Sequence, residues 1–461
     1  MIANNSFWRF EHFFFRGALI LFFYVYGEIR MRVLVIGGGA REHALVWKIA
    51  QSPLVKKIYC APGNAGIAQL AECLPIGASD IHGLAEFAAR TKIDLTVVGP
   101  EVPLVAGVAD VFEALGLPIF GPSKGPARLE GSKSFSKEIM RSSGIPTAEF
   151  WSCNSQEEAL RVIRDYYAHR DSRTDKIVIK ADGIAAGKGV TVANSRNEAE
   201  EAVNLMMNER VFGSSGDCVV IEECLVGEEA SIMAITDGNT VIPLLPSQDH
   251  KRAFDGDLGP NTGGMGAYTP VSVIPADTTE QAVERIVKPA INAIRELGIP
   301  YRGVLYAGII VTEEGPKCIE FNCRLGDPET EVILPMMESD LVPLLLAAIE
   351  CNLETQKIAW KSGGAACVVA AAGGYPGEYR KGDEITGLKE AAESEGCAVF
   401  HAGTVFDNGK YRTAGGRVLC VAGQGADLLT ALARAYSGIS CIHFDGMHYR
   451  RDIAARMLRN G

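Results

Sequence analysis

Between residues 31 and 121 short apolar runs alternate with longer amphipathic ones. Residues 32–36, 57–60, 95–98 and 118–120 are brief, almost wholly apolar and bounded by turn residues. That is the pattern of strands buried on both faces. Residues 41–49, 81–90 and 104–115 carry apolar side chains at helical spacing. Alternation of this kind predicts a Rossmann-like parallel sheet whose ligands sit beyond the strand C-termini. Gly37-Gly38-Gly39 and Gly99-Pro100-Glu101 would both lie on that edge.

The pattern then changes. Ser132 can cap a helix with Phe135, Ile139 and Met140 on one face, ended by Gly144 and Pro146. Residues 176–180 and 190–193 read as strands joined by a glycine-rich loop, and residues 218–222 as a strand running into Glu223, Leu225 and Glu229. Residues 247–268 are polar, glycine-rich and without periodicity, the signature of a functional or disordered loop. Residues 281–297 form a helical stripe that Pro289 should kink. Residues 303–311 and 317–322, across a polar turn, predict a β-hairpin. On its second strand Glu320 and Asn322 are two apart and share a face. From residue 357 short β segments (365–372, 399–404, 417–421) precede one helix, 427–436, with Leu428, Leu429 and Leu432 expected inward.

Composition narrows the function. A chain of 461 residues predicts about two to four domains. The net charge is −11 and no long basic run occurs, so nucleic acid is not an expected partner. Twelve cysteines without a C-x-x-C pair disfavour zinc and disulfides and favour a reducing cytoplasm. Residues 17–26 are an unbroken apolar run, too short to span a bilayer comfortably. No stable membrane association is expected. The composition breaks sharply at Met31, which we read as the natural start, with residues 1–30 an extension outside the fold.

The chemistry concentrates in a few places. The dinucleotide fingerprint fails after the first strand, because Glu42 stands at its third glycine position. Arg41 and His43 are left as candidates for a single phosphate or a sugar, beside the alternative of a plain tight turn. The loop Ala181 to Val190 is not a Walker A loop, since Gly189 follows Lys188. Its backbone N–H groups and Lys188 still suit phosphates. Glu320 and Asn322 are hard oxygen donors of the kind Mg²⁺ takes while it also holds a phosphate. Arg324, Asp327, Glu329 and Glu331 crowd the turn behind them, a costly arrangement unless solvated, paired or coordinated.

This order of elements resembles the ATP-grasp fold. More sharply, Gly37-Gly38-Gly39-Ala40-Arg41-Glu42-His43, Leu129-Glu130-Gly131-Ser132-Lys133, Ala185-Ala186-Gly187-Lys188-Gly189-Val190, residues 259–268 and Gly326-Asp327-Pro328-Glu329-Thr330 together resemble the phosphoribosylamine–glycine ligase family. Gly415-Gly416-Arg417 matches its C-terminal domain. The resemblance runs from Met31 nearly to the end. Cys323 and Leu325 depart from the Ala and Phe, and Ala454 from the Gly, that the family often carries.

The resemblance implies an α/β and α+β multidomain chain. Residues 31–130 would form the N-terminal Rossmann-like domain, 131–355 the ATP-grasp domain with a flap subdomain at about 150–225, and 356–461 a small C-terminal α+β domain. It implies an ADP-forming ligase of purine biosynthesis, acting through glycyl phosphate, with ATP as co-substrate and Mg²⁺ or Mn²⁺ as cofactor. Lys133, Lys180, Gly187, Lys188 and Gly189 would meet the ATP phosphates, and Glu222, Glu223 and Leu225 adenine. Glu229 would meet the ribose, and Glu320 and Asn322 the metal. Arg324, Asp249 and Lys188 are the expected catalytic groups. Gly37, Gly38, Gly39, Arg41, Glu101, Asn261 and Asp327 would hold phosphoribosylamine. The expected protein is a cytoplasmic monomer acting on small molecules. The alternative within the class is another ATP-grasp carboxylate–amine ligase of purine metabolism. Outside it stand a nicotinamide oxidoreductase, against which Glu42 argues, and a non-catalytic nucleotide-binding module. Glu320, Asn322, Lys180 and Arg324 together argue against the module.

Overall fold

The computed structural model describes residues 31–168, 170, 175–184 and 189–460. The extension 1–30, and with it its expected absence from the fold, lies outside the described residues, as do Gly187 and Lys188. The first apolar runs form a five-stranded parallel sheet in the order β3-β2-β1-β4-β5. Its strands are β1 (Met31–Gly37), β2 (Val55–Pro62), β3 (Glu72–Cys73), β4 (Leu95–Val98) and β5 (Ile119–Phe120). Val33, Leu34, Val35 and Ile36 are all fully buried, as a sheet covered on both faces requires. The helix expected over 104–115 is instead two, Glu101–Ala106 and Val108–Ala114, broken where Gly107 takes φ +95°.

Two antiparallel sheets build the centre. β6 (Phe150–Cys153), β7 (Ile177–Ala181), β8 (Val190–Ala193) and β9 (Val219–Glu223) pair in the order β6-β9-β7-β8. The expected glycine hairpin is the β7–β8 pair, Lys180 opposite Val190. β10 (Glu228–Thr236), β11 (Val241–Pro243), β16 (Gly303–Thr312) and β17 (Gly315–Asn322) form the second sheet. Residues 247–268 are no structureless loop. They hold β12 (Gln248–Asp249), β13 (Arg252–Phe254), β14 (Leu258–Asn261) and β15 (Gly266–Thr269). The predicted helical stripe runs from Ala276 to Glu296, with wider π turns at Val283–Val287 just before Pro289.

The C-terminal strands β18 (Gly364–Ala371), β20 (Cys397–His401) and β23 (Arg417–Gly425) share one sheet with β12 and β15, in the order β12-β15-β18-β23-β20, while β19 (Glu384–Ile385), β21 (Thr404–Asp407) and β22 (Lys410–Thr413) pair in a small sheet of their own. Thus the polar segment of the central region and the C-terminal region are hydrogen-bonded to each other. Leu428 and Leu432 of helix Leu428–Cys441 are buried, but Leu429 is exposed, contrary to the expectation for all three. Ala454, at the position of a frequent family glycine, has φ +61°.

Candidate active site

Lys180, next to last in β7, puts its Nζ 2.9 Å from Glu222 Oε1 on β9 and 3.5 Å from the Ile319 carbonyl. Lys137, one turn after Lys133 on helix Lys133–Ser142, reaches the other oxygen of Glu222 at 2.9 Å. Burial works against the Glu222 charge, but the two lysines outweigh it and hold its carboxyl below the usual range. Both carboxylate oxygens of Glu222 are therefore taken by lysines. Glu223 brackets Glu149, with its Oε1 accepting from the Glu149 N–H at 3.1 Å and its own N–H donating to the Glu149 carbonyl at 3.0 Å. Leu225 follows beyond the strand end, half-buried.

Ser132 caps its helix as expected, accepting from the Phe135 N–H at 3.2 Å. The same hydroxyl donates to Asp182 at 3.1 Å, and Ser134 adds its N–H at 3.1 Å and its hydroxyl at 2.8 Å. The base of the glycine hairpin is thus pinned to the helix N-terminus. Lys133 donates to the Gly183 carbonyl at 2.8 Å, and the Gly189 carbonyl closes the hairpin neck on the Ala181 N–H at 2.8 Å. Burial pulls the Lys133 ammonium below its usual pKa, with Glu320 pulling the other way.

Glu320 and Asn322 do share a face. The β16–β17 register slips between Gly308 and Ile309, leaving Ile319 unpaired and Glu320 opposite Gly308. Burial disfavours the Glu320 charge, yet Lys251, Lys180, Lys133 and Arg324 together hold its carboxyl below the ordinary range. Arg324 lies 2.9 Å from Glu130 and 3.3 Å from Glu101, and donates to Asn322 Oδ1 at 3.2 Å. A carboxylate and an amide oxygen suit a hard divalent ion. Among the described residues no group of three acidic, His or Cys side chains could hold a metal ion. The pair fits a cation only as part of a shell completed by phosphate oxygens and water, which the surrounding positive charge favours.

Beside it, Lys251 pairs with Glu229 at 2.9 Å. Burial pushes the Asp249 carboxyl up to about 7, against the pull of Lys251. Glu329 accepts from Ser231 Oγ at 2.9 Å.

At the N-terminal sheet edge, Glu42 occupies the space over the glycine turn. Its Oε2 accepts the Gly39 N–H at 2.5 Å, and its Oε1 meets Arg41 at 2.7 Å. A Cβ on Gly37 would fall 2.5 Å from the Glu42 side chain, and one on Gly99 2.1 Å from it. Arg41 also donates to the Leu325 carbonyl at 3.2 Å. Gly38 gives its carbonyl to Asn64 at 3.0 Å. His43 is buried, its Nδ1 accepting the His401 N–H at 2.8 Å. Burial, then His401, lowers its pKa to about 3. Asn261 ends β14, half-buried. Asp327 pairs with Arg417 at 2.9 Å. Of the crowded charges, only Glu331 is neither paired, solvated nor coordinated. It is fully buried, and burial raises its carboxyl well above the usual range, so it is held as the neutral acid.

The structure therefore brings Lys133, Lys180, Glu320, Asn322, Arg324 and Glu101 into one centre, with Asp249 and Glu229 alongside. Sequence reasoning passed over Lys137, Glu130, Lys251 and Asp182 as participants. The spacing of Lys133 and Lys137, four apart on one predicted helix, was a usable signal.

Two mixed subdomains holding buried lysines, a glycine-rich hairpin and a Glu-x-Asn strand define an ATP-grasp enzyme. Residues 31–130, 131–330 and 365–456 match the family models of the phosphoribosylglycinamide synthetase N domain, ATP-grasp (A) domain and C domain. The chain is 50% identical over 425 residues to phosphoribosylamine–glycine ligase of Caldanaerobacter subterraneus, covering 92% of this chain and 100% of that one. It is 50% identical over 432 residues to the Escherichia coli enzyme of that name, covering 93% and 99%. The crystal structure of the Thermotoga maritima phosphoribosylamine–glycine ligase superposes with a TM-score of 0.78 at 36% identity, over 92% of this chain and 100% of that one. The chain belongs to the phosphoribosylamine–glycine ligase family.

Proposed function

We propose that this chain joins glycine to 5-phosphoribosylamine at the expense of ATP, giving glycinamide ribonucleotide, ADP and phosphate in purine biosynthesis. The observation that carries this reading, beside family membership, is the strand β17 running from Glu320, ringed by lysines, straight into Arg324. Lys133, Lys180 and the hairpin of Gly187, Lys188 and Gly189 hold the phosphates. Glu222, Glu223 and Leu225 line the adenine site, and Glu229 meets the ribose. Glu320 and Asn322 would hold Mg²⁺ or Mn²⁺, which when bound supplies positive charge against the ATP phosphates.

A glycine carboxylate oxygen attacks the γ-phosphorus, and the bond to the ADP oxygen breaks. Arg324, charged and braced by Glu101 and Glu130, fixes positive charge beside the reacting carboxyl. The amine of phosphoribosylamine then attacks the acyl carbon, and phosphate leaves. Asp249, poised near neutrality, takes the proton that the amine loses. Gly37, Gly38, Gly39, Arg41, Glu101, Asn261 and Asp327 hold the phosphoribosylamine. The same reading makes the protein a cytoplasmic monomer working on small molecules. All twelve cysteines are free, and no helix among the described residues is long and apolar enough to cross a membrane.

The test is ADP release with glycine and phosphoribosylamine, each omitted in turn. Glycine labelled with ¹⁸O in its carboxylate should leave one labelled oxygen in inorganic phosphate. Label in AMP, with pyrophosphate released, would overturn the acyl phosphate and the placement of Lys188 and Arg324.

A further inference from the structure

The motif Gly415-Gly416-Arg417 has no part in the chemistry above, yet it reaches the substrate loops. Arg417 Nη1 donates to the Gly263 carbonyl at 2.6 Å and to the Asp327 carbonyl at 3.0 Å, and lies 2.9 Å from Asp327 Oδ1. From the other side Tyr375 Oη accepts the Gly263 N–H at 3.0 Å. The Gly263 peptide is therefore held at both ends by side chains of the C-terminal region. Close packing leaves no freedom in this contact. A Cβ on Gly263 would lie 3.0 Å from Arg417 Cζ, and one on Gly416 2.3 Å from the Tyr375 ring. Gly264 abuts the next loop in turn, its Cβ position 2.4 Å from Pro328.

We propose that Arg417 and Tyr375 form a clamp by which the C-terminal domain positions two phosphoribosylamine loops, residues 259–266 and Asp327, without touching ATP. Arg417 is a positioning residue, since one guanidinium nitrogen serves both loops at once. Its charge is secure: burial opposes it, but the Asp327 carboxylate keeps its pKa above the ordinary value. The inference rests on the phosphoribosylamine reading of Asn261 and Asp327, so its test has one arm independent of turnover.

In the ligand-free full chain, amide hydrogen exchange over residues 259–266 should quicken about tenfold in Arg417→Gln, the effect of losing one charged hydrogen bond. Tyr375→Phe, which keeps the ring and drops the acceptor, should quicken it less. Unchanged exchange in both variants overturns the clamp whatever the enzyme turns over. In the kinetic arm, Arg417→Gln should raise KM for phosphoribosylamine about tenfold, with KM for ATP and kcat close to wild type. Arg417→Lys should recover part of the loss. Equal rises for both substrates, together with a lower Tm, would show a merely structural residue and overturn the proposal. A wild-type chain that releases no ADP would instead sink the functional reading, and the exchange arm would still decide the clamp.

Discussion

Two glycine-rich turns in this protein, both able to receive an anion, answer their own charge differently. At Gly37-Gly38-Gly39 the chain fills the position itself: Glu42 takes the Gly39 N–H and pairs with Arg41. That is half of a capping box, since Gly39 has no side chain to return the bond, and it takes one N–H that would otherwise attract phosphate. At the hairpin that follows β7 the opposite holds. Among the described residues Lys133 donates to a carbonyl and has no paired carboxylate, while Lys133, Lys180, Lys251 and Arg324 together keep Glu320 charged against its burial. Glycine turns thus supply access, while the nearest uncommitted side chains decide whether a phosphate is wanted. The N-terminal edge pairs Arg41 and Glu42 with each other, so the proposed phosphoribosylamine would meet an ionic network already in place. The central one keeps Lys133, among the described residues, without a paired carboxylate and so open to a nucleotide.

The comparison is broken most severely at Glu320. Glu320→Gln should lower kcat by about 10²–10³, the scale of one lost transition-state contact, while the far-ultraviolet spectrum and Tm hold. Near-normal turnover at moderate Mg²⁺ would remove Glu320 from the centre. Next is Lys137, which belongs to the nucleotide end but is fully committed. Lys137→Met leaves the buried Glu222 with one partner and should cost about 3 kcal/mol of stability, read by urea unfolding. If KM for ATP rose more than stability fell, Lys137 would be a ligand and not a brace.

Much of this was legible beforehand, for local reasons. The strands Leu95–Val98 and Val190–Ala193 are read correctly because their apolar runs are short and bounded. Ser132 caps because its hydroxyl needs only Phe135, three residues on. Glu320 and Asn322 share a face because the strand period is two. What stayed hidden depends on distant partners. Nothing near Glu222 in sequence says that Lys137 and Lys180 will claim both its oxygens. Nothing in residues 247–268 announces strands, because β12 and β15 are completed by β18 and β23 far down the chain. Leu429 fits a helical stripe as well as Leu428 does, and only the packing of the sheet leaves it outside.

The third test separates the ends by pH. The Asp249 carboxyl has a folded pKa of about 7 against ~3.9 in an unfolded chain. The unfolded state therefore loses its proton first, and stability falls as pH rises between those values, by roughly 4 kcal/mol. Above about 7 the cost is complete and constant. Asp249→Asn should flatten that slope in ligand-free protein followed by urea unfolding. An equal slope in both proteins would place the Asp249 carboxyl in water. At the N-terminal edge, Arg41→Ala should raise KM for phosphoribosylamine about tenfold, as for loss of one charged hydrogen-bonding group. KM for ATP should not change. Equal losses for both substrates would reject the division between the two ends.

The smallest effect is expected where the nucleotide end is anchored. Ser132 does two jobs with one hydroxyl: it accepts from the Phe135 N–H and donates to Asp182. Removing it in Ser132→Ala should cost about 1 kcal/mol, the usual loss of a helix cap. The hairpin base should stay in place, because Ser134 still supplies its N–H and hydroxyl to Asp182. Stability should therefore fall while KM for ATP moves little. Asp182→Ala should do the reverse, keeping the Ser132 cap on Phe135 and releasing the hairpin base, so that KM for ATP rises with little loss of stability. The pair of variants separates the cap from the anchor. If both lowered stability and ATP affinity in the same proportion, the helix and the hairpin would behave as one rigid unit. The glycine loop would then owe its place to the whole helix N-terminus and not to the Asp182 contacts.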